Sequence, residues 1–220
     1  MAAPSGAPTA LDVITMGRCS IDLYGQQIGS RLEDMASFAK SVGGSPSNIA
    51  IGTARLGLRS GLITRVGDEQ MGRFVLEQMA REGVSTKGIA TDPARLTSLV
   101  LLAVESDKSF PLIFYRDNCA DSALSEADVS EDFIRSAAAL LVTGTHFARE
   151  VNDKAQRKAM ALAKKHGRRI VIDIDYRPNL WGLANHGAGE ERYIKSDMVT
   201  SHLQSILADC DLIVGTEEEV

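Results

Sequence analysis

The sequence predicts an α/β protein in three layers, a mostly parallel sheet between two sets of helices, with a small β lid beside it. Two observations lead there. Short apolar runs of strand length alternate with longer stretches of helical periodicity, which is the rhythm of β-α units in a parallel sheet. Between Thr97 and Tyr115 that rhythm breaks, because two β-rich runs follow each other with only a polar turn between them. Length and composition agree: 220 residues, 44% hydrophobic and 24% charged, suit one large domain with a sizeable core.

Residues 1–10 (MAAPSGAPTA) carry neither the basic nor the apolar segment of a signal peptide and are expected to form a flexible tail, so the domain is placed at 11–220. Residues 12–17 (DVITMG) are a short apolar run ended by glycine, as in a strand covered on both faces. Arg18-Cys19-Ser20-Ile21-Asp22 follows. Open α/β sheets hold ligands just past the carboxyl ends of their strands, so Asp22 is a candidate acceptor for ligand hydroxyls; a plain turn aspartate is the alternative. Gly43 and Gly44 then form a turn with no side chain to keep a ligand or another backbone away. Ser47 and Asn48 are suited to cap a helix in which Ile49, Ala50, Ala54 and Leu56 recur at helical spacing until Gly57. The N-terminus of that helix faces the diglycine.

A strand is expected over 60–66, then a helix opened by Gly67-Asp68 with Met71, Phe74, Val75 and Met79 on one face and Gly83 at its end. Residues 97–104 and 110–115 read as a hairpin, and the lid strands are placed within about 18–40 and 97–116. The rhythm resumes with a helix from about Ser130, a strand at 140–143, a helix over 152–166, a strand at 169–174, a helix over 197–207 and a strand at 211–214. A further helix is expected to begin just before Val220.

Several chemistries are excluded. Acidic residues outnumber basic ones 29 to 24, for a net charge of -5, and no stripe of Lys or Arg offers a surface to nucleic acid or an anionic membrane. No apolar run reaches the roughly 18 residues of a membrane span. Cys19, Cys119 and Cys210 are odd in number and lack a CxxC, which suits reduced thiols in a cytoplasmic protein. There is no P-loop, since Leu58 stands where the lysine after Gly52 and Gly57 would be; GxGxxG after the first strand, HExxH and GxSxG are absent too. His146, His166, His186 and His202 lack zinc-site spacing and are expected mostly at the surface or in loops, His146 just past a strand being the one to keep in view.

The run GGSPSNIA at 43–50, followed after six residues by Gly57 and after nine more by Gly67, resembles the N-terminal signature of the ribokinase-like, or PfkB, sugar kinases at every fixed position. Tyr115-Arg116 and residues 173–181 (DIDYRPNLW) are most similar to the branch acting on 2-keto-3-deoxygluconate and 5-dehydro-2-deoxygluconate. Residues 215–219 (GTEEE) look like the second group's form of the family's NxxE motif. The resemblance implies a ribokinase-like three-layer fold and an ATP- and Mg2+-dependent carbohydrate kinase. Its acceptor would be a primary hydroxyl of a keto-deoxy sugar acid, 5-dehydro-2-deoxygluconate of myo-inositol breakdown, with 2-keto-3-deoxygluconate or fructose as neighbouring specificities.

It also implies roles for single residues. Asp22, the backbone of Gly43 and Gly44 and the Asn48 amide would hold sugar hydroxyls. Arg116 and Arg177 are candidates for the carboxylate, because an arginine fork grips one through two charge-assisted hydrogen bonds; a surface salt bridge is the alternative for each. Asp175 and Thr216 would lie toward the nucleotide and Glu219 would reach magnesium through water, although threonine replaces the usual asparagine and Thr216–Glu219 also reads as a helix capping box. The family's glycine-rich anion hole and catalytic aspartate are expected beyond Val220, with the C-terminal part of the fold, since no GAGD-like run occurs in the chain. A non-catalytic sugar-acid binding fragment is therefore the alternative function. A lid with an apolar face implies a homodimer for the complete enzyme.

Overall fold

The computed structural model describes residues 9–219. Of the tail expected over 1–10, residues 1–8 lie outside the described residues.

Six strands form one sheet, all parallel: β1 (Leu11–Met16), β4 (Ser60–Gly67), β5 (Ser85–Asp92), β8 (Ala137–Thr143), β9 (Arg169–Asp173) and β10 (Leu212–Val214), in the spatial order β10-β9-β8-β1-β4-β5. The chain lays down β1, β4 and β5 toward one edge and then returns to place β8, β9 and β10 toward the other. The order therefore reverses at β1, where the carboxyl ends of β1 and β8 diverge into a crevice. Helices α1 (Ser45–Arg55) and α2 (Gln70–Arg81) cover one face, with Ala50, Val75 and Met79 packed on Leu62 and Val66. Helices α3 (Glu131–Arg135), α4 (Glu150–Lys165) and α5 (Asp197–Leu207) cover the other, where Ala155, Ala159 and Ala163 bring α4 close over Leu140, Val142 and Ile172.

The second sheet has four strands in the order β3-β2-β6-β7: β2 (Ser20–Gly25), β3 (Phe38–Gly43), β6 (Ser98–Leu102) and β7 (Leu112–Tyr115). Three of its features follow from the pleat. Asp22 pairs with Val100, which pairs with Phe114, and Tyr24 pairs with Leu102, which pairs with Leu112; side chains at directly paired positions share a face. That face looks inward. The opposite face carries Ile21 and Val42 into the α1–α2 side of the core, and Lys40 lies over the Phe74 ring at 3.9 Å. The lid is thus hinged on the body at its base.

Two expectations are corrected locally, and the turn alternative for Asp22 falls, since it lies within β2. Helix α1 begins at Ser45, with Gly44 at its cap and Pro46 in the first turn, so neither Ser47 nor Asn48 caps it. Strand β5 was not expected, because STKGIATD is polar and contains glycine; it is the sheet's edge, where partial exposure relaxes the demand for apolar residues. Among the described residues no helix is long and apolar enough to cross a membrane.

Candidate substrate-binding site

A cavity of about 790 Å3 opens between the inner face of the lid and the carboxyl ends of β1 and β9. Each element contributes to it for a local reason. Alternation in β2 aims Ser20, Asp22 and Tyr24 inward, while Val100 and Phe114 supply an apolar ceiling. Asp22 is half-buried and accepts a 2.8 Å hydrogen bond from Ser20 Oγ. Burial pushes its carboxyl up from the usual range, against the pull of Ser20 and of the Arg18 charge.

The diglycine makes room. A Cβ on Gly43 would stand 2.0 Å from Asp22 Oδ1, so only glycine lets the carboxylate lie against this backbone. Gly44 has φ +95, and a Cβ there would meet the Arg18 carbonyl oxygen at 2.5 Å. Thr15 Oγ1 donates to the Pro46 carbonyl at 2.9 Å, pinning the start of α1 on β1. Asn48, one turn into the helix, has an exposed side chain on the cavity wall and makes no side-chain hydrogen bond among the described residues.

Beyond β9 the chain kinks at Asp175, whose φ is +40. The Asp175 carboxylate is buried and accepts both prongs of Arg18, from Nε at 3.0 Å and Nη2 at 2.8 Å. Arg177 lines the cavity with Nη2 at 3.5 Å from the same carboxylate, and its Nη1 donates to the Tyr176 carbonyl at 2.7 Å. Burial and the neighbouring Arg18 and Arg192 charges depress its pKa, partly opposed by Asp175. Ser45 Oγ donates to Asp173 Oδ2 at 2.5 Å, and burial, then the charges of Asp175 and Glu219, raise the Asp173 carboxyl.

Thr216 and Glu219 close the cavity on the β10 side. Glu219 Oε2 accepts from the Thr216 amide at 2.8 Å, which is the reach-back half of the capping box, and Oε1 accepts from the Tyr176 amide at 2.6 Å. Asp173, Asp175 and Glu219 all face this corner, yet no group of three or more acidic, His or Cys side chains among the described residues is arranged to hold a metal ion directly.

The structure thus brings Asp22, Gly44, Asn48, Asp175, Arg177, Thr216 and Glu219 onto one cavity, with Gly43 behind Asp22. Arg116 stands apart. Its guanidinium is buried at the base of the lid, ion-paired with Asp121 and donating to Ser98 Oγ at 2.9 Å, and it does not line the main cavity. It is an ion pair, as in the alternative reading, but a buried one and not at the surface. Asp175, expected toward the nucleotide, spends its carboxylate on arginine instead. The sequence reading passed over Arg18, Asp173 and Arg192. Arg18 was within reach of the argument applied to Asp22, since it directly follows the first strand; Arg192 lies in an aperiodic loop that gives no signal.

The model of the pfkB family of carbohydrate kinases matches residues 10–220. The chain is 39% identical over 211 residues to the 5-dehydro-2-deoxygluconokinase of Geobacillus kaustophilus, a match covering 95% of this chain and 59% of that relative. Among solved structures, the PfkB protein from Polaromonas sp. JS666 superposes with a TM-score of 0.81 at 30% identity, over 93% of this chain and 65% of that one. An uncharacterized sugar kinase from Pyrococcus horikoshii in complex with ATP superposes with a TM-score of 0.78 at 25% identity, over 91% of this chain and 62% of that one.

Proposed function

The chain belongs to the pfkB family of carbohydrate kinases, and from that premise we propose that it carries the sugar-binding side of an ATP-dependent kinase acting on a keto-deoxy sugar acid, 5-dehydro-2-deoxygluconate. One observation carries this reading beyond the family: Asp22, which can accept from a hydroxyl, and Arg177, which can donate to a carboxylate, line one cavity under the lid. A neutral hexose has hydroxyls for Asp22 and Asn48; a sugar acid also brings a carboxylate, which Arg177, at a loose 3.5 Å from Asp175, is free to grip through charge-assisted hydrogen bonds.

Phosphoryl transfer asks chiefly for alignment and charge neutralisation. Asp22, Asn48 and the backbone at Gly43 and Gly44 fix the hydroxyls, Arg177 fixes the carboxylate, and the lid's apolar ceiling keeps water off the acceptor. Magnesium would neutralise phosphate charge when bound with ATP, and Glu219, Thr216 and Asp173 are the groups that would meet it through water. A homodimer through the lid and a cytoplasmic location belong to the same reading. The chain spans 59% of the relative's length. The second reading is a sugar-acid binder without turnover.

Calorimetric titration tests the binding. The purified chain is expected to bind 5-dehydro-2-deoxygluconate, and Asp22→Asn to weaken it roughly ten- to a hundredfold, since a hydrogen bond to a charged group contributes about 1.5–3 kcal/mol. Absence of binding at millimolar acid would overturn the proposal. ATP consumption that depends on the acid would decide against the binder without turnover.

A further inference from the structure

Past Trp181 the chain runs without helix or strand to the start of α5, and residues 182–196 are mostly exposed. Connections of that length in a compact domain commonly serve a function. Three contacts carry this one along β7 in the opposite sense. His186 Nε2 lies 3.4 Å from Asp117 Oδ2, Gly189 is buried against Leu112, and the Glu190 carboxylate accepts from the Phe110 amide. A Cβ on Gly189 would stand 2.4 Å from the Leu112 carbonyl oxygen, so only glycine brings the backbone this close to β7. The strap then returns to the body. There Tyr176 Oη donates to the Ile194 carbonyl at 2.6 Å, and the Tyr176 and Tyr193 rings meet edge to face with centroids 6.1 Å apart. Between these footholds Arg192 lines the cavity, as Phe110 does on the lid side.

The two ends of the lid are held unequally. At its base Asp121 Oδ2 accepts from Arg116 and from the Cys19 amide at 3.1 Å, and Ser98 Oγ donates to the Cys19 carbonyl at 2.6 Å, all in buried surroundings where charge-assisted bonds are strong. At the far end, the bond from Phe110 to Glu190 is the one hydrogen bond that joins residues 103–114 to anything outside the lid, among the described residues. Glu190 is exposed, and the side chains of His186 and Asp117 are 65% and 79% exposed, so that pair contributes little. Local opening begins where contacts are fewest and wettest, which makes the base a hinge and the strap its catch.

We propose that residues 182–195 are a latch on the lid, closed in this structure, and that their release from β7 at Gly189 and Glu190 opens the cavity for a ligand to enter and leave. The glycines of the strap divide the work. A Cβ on Gly182, whose φ is +75, or on Gly187 would meet nothing within 4 Å, so the backbone has room to turn at both, while Gly189 is the seat. The part of the test that uses a ligand rests on the sugar-acid reading of the cavity; the latch itself does not.

The test compares the wild-type chain with G189A, E190A and G187A, the last adding the same methyl group in open space two residues from the seat. Circular dichroism and thermal melting report whether each is folded. Hydrogen exchange over residues 103–115 and trypsin cleavage after Arg192 and Lys195 report release of the strap, and stopped-flow measures dissociation of 5-dehydro-2-deoxygluconate. G189A and E190A are expected to raise the exchange, cleavage and dissociation rates by about tenfold, the loss of one hydrogen bond to a charged group, with G187A within about twofold of wild type. Folded G189A and E190A with wild-type exchange and cleavage overturn the latch, as does an equal response in G187A. Faster exchange with an unchanged dissociation rate overturns the strap as the gate. Wild-type protein that binds none of the acid overturns the sugar-acid reading, and the exchange and cleavage rates still decide the latch.

Discussion

His146 stands just past β8 with its ring buried and its Nε2 without a partner among the described residues. Burial is the main cause holding its pKa down at about 4; the Asp121 charge opposes it, and Arg116 and Arg18 reinforce it. In the unfolded chain the imidazole titrates near its ordinary value of about 6.5, so between those limits the unfolded state binds the extra proton. Stability from this residue is complete above about pH 6.5 and falls as the pH drops toward 4, at up to about 1.4 kcal/mol per pH unit. His146→Gln is therefore expected to flatten the decline, and urea denaturation from pH 7 to 4.5 measures it; parallel slopes for wild type and variant would refute the assignment. Arg116 teaches the complementary lesson. Its sequence context allowed either a substrate contact or an ion pair, and only the position of Asp121 five residues later, folded back beneath the lid, chose between them.

The junction of β3 and α1 is where the element scale decides function. Gly43 and Gly44 are adjacent but answer to different constraints, one set by a side chain and the other by backbone. Gly43→Ala would drive a methyl group into the Asp22 carboxylate, so the expected outcome is loss of acid affinity by tenfold or more with a modest stability cost. Gly44→Ala meets the Arg18 carbonyl oxygen at a φ that L residues rarely adopt, and is expected to cost about 1–3 kcal/mol of stability. Denaturant midpoints and titration calorimetry on the two variants separate these effects; equal behaviour would mean that the glycines share one structural role. The extent of this element was less legible than its composition, because a capping rule that favours Ser and Asn placed the helix start at Ser47–Asn48, while Pro46 and the free conformation of Gly44 moved it to Ser45.

At the scale of the molecule, the lid supplies the roof of the cavity and leaves exposed aromatic surface of its own. Tyr115, on the face turned away from the cavity, is 56% exposed, and β3 and β7 are open sheet edges. The proposed lid dimer would cover them. Light scattering is expected to return twice the mass of the chain, with Tyr115→Glu returning the single-chain mass; a wild-type monomer at high concentration would count against it. Strand β10 is the other exposed feature, an outer strand of the main sheet with Leu212, Ile213 and Val214 all exposed to solvent.

The β-α rhythm, the hairpin at 97–115 and the spacing of glycines from Gly43 to Gly67 are local patterns, and local patterns suffice for periodicity, turn chemistry and family signature. The sequence alone therefore determined the layered parallel fold and the lid, and it named seven of the residues on the cavity wall. It could not determine which charged groups pair. Arg18 and Asp175 are 157 positions apart, Ser45 and Asp173 are 128 apart, and no periodicity links them. Such pairs form because the strand order reverses at β1 and brings the ends of β1 and β9 to one crevice. Only the tertiary structure could therefore pair Asp175 with Arg18 and set Arg116 against Asp121 beneath the lid.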